Sequence, residues 1–80
     1  MNKVLCELLG TSKHVRKSDG KVYYSVRVLI ENRVTIMFYY KDELYTELSK
    51  YERLSDICLL GELRVKDETS FSFVPQSLEV

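Results

Sequence analysis

The order of local patterns predicts an all-β domain with one short helix: five strands, with the helix between the third and the fourth. Two runs alternate apolar and polar residues, Val22 to Ile30 and Val34 to Tyr40, and helical spacing begins directly after them at Asp42. Two more strand-like runs, Ile57 to Val65 and Phe71 to Val74, follow the helix, and a mostly apolar run from Lys3 to Leu9 precedes the first hairpin.

Eighty residues make a single domain, and a chain this short buries only about 60% of the surface its unfolded form exposes. A catalytic domain beside a binding domain does not fit. A hydrophobic content of 45% with 30% charged residues and a single proline reads as a folded chain. No apolar run approaches the ~20 residues that span a bilayer, and Met1-Asn2-Lys3 opens no secretory apolar segment, so the expected location is the cytoplasm.

Cys6 and Cys58 could pair, but each lies in a strand-like run, where a small buried hydrophobe is the commoner use. One histidine and no Cys-x-x-Cys spacing leave too few ligands for zinc, and no cofactor is expected. The formal net charge is zero, yet its distribution is uneven. Residues 1–41 hold eight bases against three acids, and residues 42–80 hold four bases against nine acids. A dipolar surface follows.

Gly10 interrupts the first run before Thr11-Ser12-Lys13-His14. Either it bends one long strand so that the strand serves two sides of a small barrel, or it opens a plain loop. Ser18-Asp19-Gly20-Lys21 carries the Asp-Gly signal of a type I′ hairpin. Strand two then places Tyr24, Val26, Val28 and Ile30 on the core face and Tyr23, Ser25, Arg27 and Leu29 on the outer one. Glu31-Asn32-Arg33 reads as a three-residue connection, which pairs Ile30 with Val34 and buries Ile36 and Phe38. Thr35, Met37 and Tyr39 then point outward, and a slip of one residue would invert the whole set.

Asp42 is the expected N-cap of the helix, with Leu44, Tyr45 and Leu48 on its apolar face and Tyr51 and Leu54 extending that face. The helix would plug one end of the barrel. In strand four, Ile57, Leu59 and Leu63 share a face, and Gly61 stands where a tight barrel has no room for a side chain. Lys66-Asp67-Glu68-Thr69 is a polar turn, and Pro75 either ends the last ladder or marks a bulge, with Ser77 to Val80 continuing as a short edge.

A first strand bent at Gly10, the hairpin Lys17-Ser18-Asp19-Gly20-Lys21, a second hairpin, a helix after strand three and then Leu54-Ser55-Asp56-Ile57-Cys58-Leu59-Leu60-Gly61-Glu62-Leu63 together resemble the OB-fold. The likeness spans nearly the whole chain and is nearest to the small single-stranded DNA-binding and replication-factor branch. It implies a five-stranded Greek-key barrel whose strands two and three, with the flanking loops, form the ligand face. Carried onto this chain, the nucleic-acid-binding residues are Tyr23, Ser25, Arg27, Thr35, Met37 and Tyr39, with Lys13, His14, Arg16, Lys17 and Lys21 from the first loop. A cationic groove with aromatic platforms is what binding of single strands without sequence readout requires. Two departures stand out: Ser55 occupies a turn position often held by glycine, and the acidic pair Asp67-Glu68 lies in a loop that often lines the groove.

Each of these residues also has a plainer use. Tyr23 and Tyr39 are either stacking platforms or the aromatics that half-buried sheet surfaces favour. Arg27 either contacts phosphate or lays its stem over apolar surface. Residues 14–21 are either a binding loop or a solvated hairpin.

Paired carboxylates on one element, a nucleophile beside a base and a glycine-rich phosphate loop are all missing from the sequence, so an enzyme is not expected. Two function classes remain. One is a single-stranded nucleic-acid binder, most simply of DNA and with RNA possible, in replication, recombination or mobile-element transfer. The other is a protein-interaction subunit docking on a polymerase, primase or helicase through Leu29, Met37 and Leu60. Exposed strand edges and the charge split favour a homodimer or higher homo-oligomer in either case.

Overall fold

The computed structural model describes residues 1–65 and 67–79. Five strands and one helix follow in the order β1 (Asn2–Val15), β2 (Val22–Ile30), β3 (Arg33–Tyr39), α1 (Asp42–Leu48), β4 (Asp56–Val65) and β5 (Phe71–Leu78). All strand pairings are antiparallel, and the sheet runs β3-β2-β1-β4-β5. The two outer strands, β3 and β5, approach one another. No backbone hydrogen bond joins them among the described residues, so the sheet curls without closing into a continuous barrel.

β1 occupies the centre because it is long and bent. Its first part, Asn2–Glu7, pairs with β4, and its second part, up to Val15, pairs with β2. The register shifts between Leu8 and Gly10, as a bulge at that glycine requires. Leu8 turns its main chain to another partner there: its N–H donates to the Ser55 carbonyl at 2.9 Å and its carbonyl accepts from the Leu54 N–H at 2.5 Å. The turn before β4 is therefore held by β1, and Leu54, with φ at 70°, takes the left-handed conformation that a glycine would normally supply.

Both hairpins differ from the expected types. In the first, only Gly20 has a positive φ (73°), so the Asp19-Gly20 pair cannot form a type I′ turn. A wider loop closes instead, with Gly20 N–H donating to the Arg16 carbonyl at 2.8 Å and Arg16 N–H to that of Lys21 at 2.8 Å. In the second hairpin Glu31 (φ 51°) and Asn32 (φ 64°) are both left-handed, and Ile30 pairs with Arg33. This is a two-residue connection of the type whose twist matches the strands. Because the connection is one residue shorter than expected, every side chain of β3 changes face.

The core draws on all six elements, with Leu8, Val26, Val28, Tyr39, Leu44, Leu48 and Leu59 among its most buried members. Met37 and Tyr39, expected outside, belong to it, while Ile36 and Phe38, expected inside, are 54% and 52% exposed. A helix as short as α1 is unstable on its own in water. Burial of Leu44 and Leu48 holds it against the sheet, at roughly 1.5–3 kcal/mol per side chain. Asp42 does not cap it: Lys41 is the N-cap, no side-chain cap bond forms, and the Asp42 carboxylate accepts the Tyr24 hydroxyl instead. Tyr24 stacks between Tyr39 (5.3 Å) and Tyr45 (4.7 Å), which joins helix and sheet through three rings. Tyr51 and Leu54 do not extend the apolar face of α1; both are exposed.

In β4, Ile57 and Leu59 are buried as expected, whereas Leu63 is exposed. A methyl group at Gly61 would collide with the Val74 carbonyl and stand 2.9 Å from Pro75 Cα, so β5 crosses β4 where only glycine fits. The Pro75 alternative resolves as a bulge: Gly61 pairs with Pro75, the register shifts beside it, and the strand continues to Leu78. Lys66 of the polar turn and Val80 of the terminal segment lie outside the described residues.

Candidate nucleic-acid interface

The outer surface of β1, β2 and β3 gathers the aromatic and cationic groups. Directly paired residues share a face in an antiparallel ladder, so Tyr23 stands beside His14, Ser25 between Ser12 and Phe38, and Arg27 between Gly10 and Ile36. His14 stacks on Tyr23 with ring centroids 5.0 Å apart, and Phe38 leans against the other side of Tyr23 at 6.1 Å. Three rings thus form a continuous half-exposed strip across three strands.

The strip is fixed from below. His14 Nε2 lies 2.8 Å from Ser25 Oγ, which holds the imidazole in its stack on Tyr23. Ser25, expected to face a ligand, is only 7% exposed, because the taller His14, Tyr23 and Phe38 cover it. It serves as a support for the strip. Arg27 is exposed and extends over Gly10; a methyl there would stand 3.1 Å from the guanidinium Nη2. The missing side chain of Gly10 therefore leaves the space in which Arg27 lies across β1.

The β1–β2 hairpin lies immediately beyond the His14–Tyr23 pair. Arg16, Lys17 and Lys21 are all exposed there, and Arg16 makes one loose ion pair with Asp19 at 3.4 Å. Such an exposed pair stabilises little and leaves the loop cationic. At the opposite sheet edge the β4–β5 turn is anionic. Asp67 accepts the Thr69 backbone N–H at 2.8 Å, the Thr69 hydroxyl at 3.0 Å and the Ser70 N–H at 2.8 Å. These donors, the Thr69 main chain foremost, hold its carboxyl below the usual carboxylate range.

Of the expected site residues, Tyr23, Arg27 and His14 share one face, with Arg16, Lys17 and Lys21 exposed in the hairpin beyond it, whereas Lys13 pairs with Tyr24 and lies on the other face of the ladder. Met37 (6% exposed) and Tyr39 (0%) do not; both point into the core. Thr35 faces the same way, opposite Val28, and is half-buried. Their places on the outer face are taken by Phe38 and Ile36, with Tyr40 exposed beyond the strand end. The signal for this exchange was in Glu31-Asn32, whose length as a connection sets the parity of everything after it.

Burial pushes the Tyr39 hydroxyl above its ordinary value, partly offset by its bond to Thr11. Among the described residues there is no group of three or more His, Cys, Asp or Glu able to hold a metal ion, and no helix long and apolar enough to cross a membrane. No protein-family model, curated protein or solved structure matches the chain.

Proposed function

We propose that this domain binds single-stranded nucleic acid, DNA in the first instance, on an OB-fold scaffold, and that it works in replication, recombination or mobile-element transfer. The strip His14–Tyr23–Phe38 beside Arg27 carries the reading. Bases of any sequence can stack on such rings at about 1–3 kcal/mol per base, while Arg27, Lys17 and Lys21 meet the phosphates. Support for the scaffold comes from the strand order β3-β2-β1-β4-β5, the bent β1, the approach of β5 to β3, and the helix between β3 and β4. The scaffold proposed is a five-stranded Greek-key barrel left open between β3 and β5.

The anionic turn at Asp67 confines the path of the strand to the β1–β2–β3 side. A site with few phosphate contacts has a shallow salt dependence. Titration of a labelled oligothymidine is expected to give log K against log salt a slope of roughly −2 to −4, from about −0.7 per phosphate contacted. Absence of binding at low salt overturns the proposal. A parallel titration with oligouridine separates DNA from RNA, since the 2′-hydroxyl is the only systematic backbone difference a protein reads.

A further inference from the structure

We infer that the open seam between β3 and β5 is a docking slot for an extended peptide in which apolar residues alternate with carboxylates. A cleft of about 810 Å³ lies along this seam, with Ile36 and Phe38 on one wall and Leu63 and Phe73 on the other. The inference does not rest on nucleic-acid binding, because it uses the edge of β3 and not the ladder face of β2, although Phe38 belongs both to the cleft wall and to the aromatic strip.

An edge strand offers unpaired N–H and C=O groups to any other strand, and folded proteins usually guard such edges with charge, proline or a bulge. β5 is guarded by Pro75 and by the register shift at Leu60/Gly61. β3 has neither proline nor bulge, and its charge is confined to Arg33 at its start. From Val34 to Tyr39 it contains no charged residue and no proline, its register with β2 is unbroken, and β5 approaches it without forming a ladder. A peptide backbone can bond to that edge, whereas a nucleic acid has no matching ladder to offer.

Charge selects the peptide. Arg64 lines the cleft beside Lys3, whose ammonium is held by Glu79, and no carboxylate lines the cleft itself among the described residues. Arg33 opens β3 and Lys41 follows its end. A bound strand therefore meets apolar walls with cations at the rims, which matches side chains alternating between apolar and acidic. A second copy of this chain would bring its own Arg33 and Lys41 to the same edge and meet like charge.

The test uses a labelled, end-blocked peptide of alternating glutamate and valine about ten residues long, with a lysine–valine counterpart as control. The glutamate peptide is expected to saturate in fluorescence anisotropy and to bind at least about tenfold more tightly than the lysine peptide. Amide chemical-shift changes should fall on residues 33–40 and 72–74. Ile36→Lys and Arg64→Glu, both at exposed positions, should each weaken binding about tenfold while circular dichroism stays unchanged. Equal binding of the two peptides, shifts centred on another surface, or no saturation each overturn the inference. So does a concentration-dependent dimer that blocks the peptide, since a second copy would then fill the slot. Loss of oligothymidine binding with the peptide result intact would overturn only the nucleic-acid proposal.

Discussion

The Tyr39 hydroxyl lies 2.5 Å from Thr11 Oγ1, and Thr11 Oγ1 in turn donates to the Ser25 carbonyl at 2.7 Å. A threonine hydroxyl has one hydrogen, so Tyr39 must be the donor in the first bond. The relay joins β3 to β1 and β1 to β2 inside the core. Tyr39→Phe leaves the ring stacked on Tyr24 and removes only the donor, at an expected cost of about 1 kcal/mol. Tyr39→Ala empties a fully buried ring site and is expected to cost about 3–5 kcal/mol. Urea unfolding of the two variants measures the difference; equal effects would mean that the ring does not contribute to the core.

Glu31 and Asn32 both sit at positive φ, where a residue with an ordinary side chain is strained by roughly 1–2 kcal/mol. Asparagine tolerates that region and glycine prefers it, so the double change Glu31→Asn with Asn32→Gly relieves strain without touching the core. Thermal and urea unfolding are expected to show stabilisation of about 1 kcal/mol. A destabilised variant would contradict the two-residue turn and the register built on it.

That turn also marks the limit of what the sequence revealed. Strands, helix, bend at Gly10 and close crossing at Gly61 all follow from residue types whose local preferences agree with the structure. Val26 and Val28 fall inside because the alternation of β2 is unambiguous. In β3 both faces are apolar, with Val34, Ile36 and Phe38 on one and Met37 and Tyr39 on the other. Hydrophobicity alone could not choose between them, and the decision passed to the hairpin length. The same ambiguity exchanged Tyr39 for Phe38 in the candidate site. Ser25 was misplaced for a different reason: its strand parity was right, but a small residue beneath three rings is covered even on the outer face.

At the far side of the sheet Glu79 accepts from Lys3 Nζ at 2.8 Å and from the Cys58 thiol at 3.1 Å. The bond to Glu79 raises the Cys58 thiol above its ordinary 9.0, and burial pushes Cys6 up to about 11. Lys3 lowers Glu79 below its ordinary 4.5. A raised thiol favours the folded state below pH 9.0 and loses that contribution as pH climbs through the raised value. The lowered carboxyl contributes above pH 4.5 and is lost as pH falls through its folded value, so the two contributions coexist between these limits. Thiol labelling of the native protein at mildly alkaline pH should be slow for both cysteines. Glu79→Gln removes the main cause of the Cys58 shift and is expected to speed its labelling several-fold, leaving Cys6 unchanged. Unaltered Cys58 kinetics would mean that the carboxylate does not hold the thiol.

On the proposed binding face the two kinds of contact should separate in one experiment, because stacking and phosphate contacts respond differently to salt. Tyr23 lies between His14 and Phe38, so Tyr23→Ala removes the middle of the strip while leaving the charges in place. Oligothymidine affinity is expected to fall by about 1–3 kcal/mol with little change in salt slope. Lys17→Ala in the exposed hairpin should weaken binding less at moderate salt and make the slope shallower by about 0.7, one phosphate contact. Arg27 stands beside the strip and over Gly10, and Gly10→Ala would displace its guanidinium without altering any charge on the face. That variant should therefore keep its electrostatic attraction at long range yet lose affinity at the site, a pattern that neither alanine substitution produces. If Tyr23→Ala and Lys17→Ala both bind like the parent, single strands do not run across β1, β2 and β3.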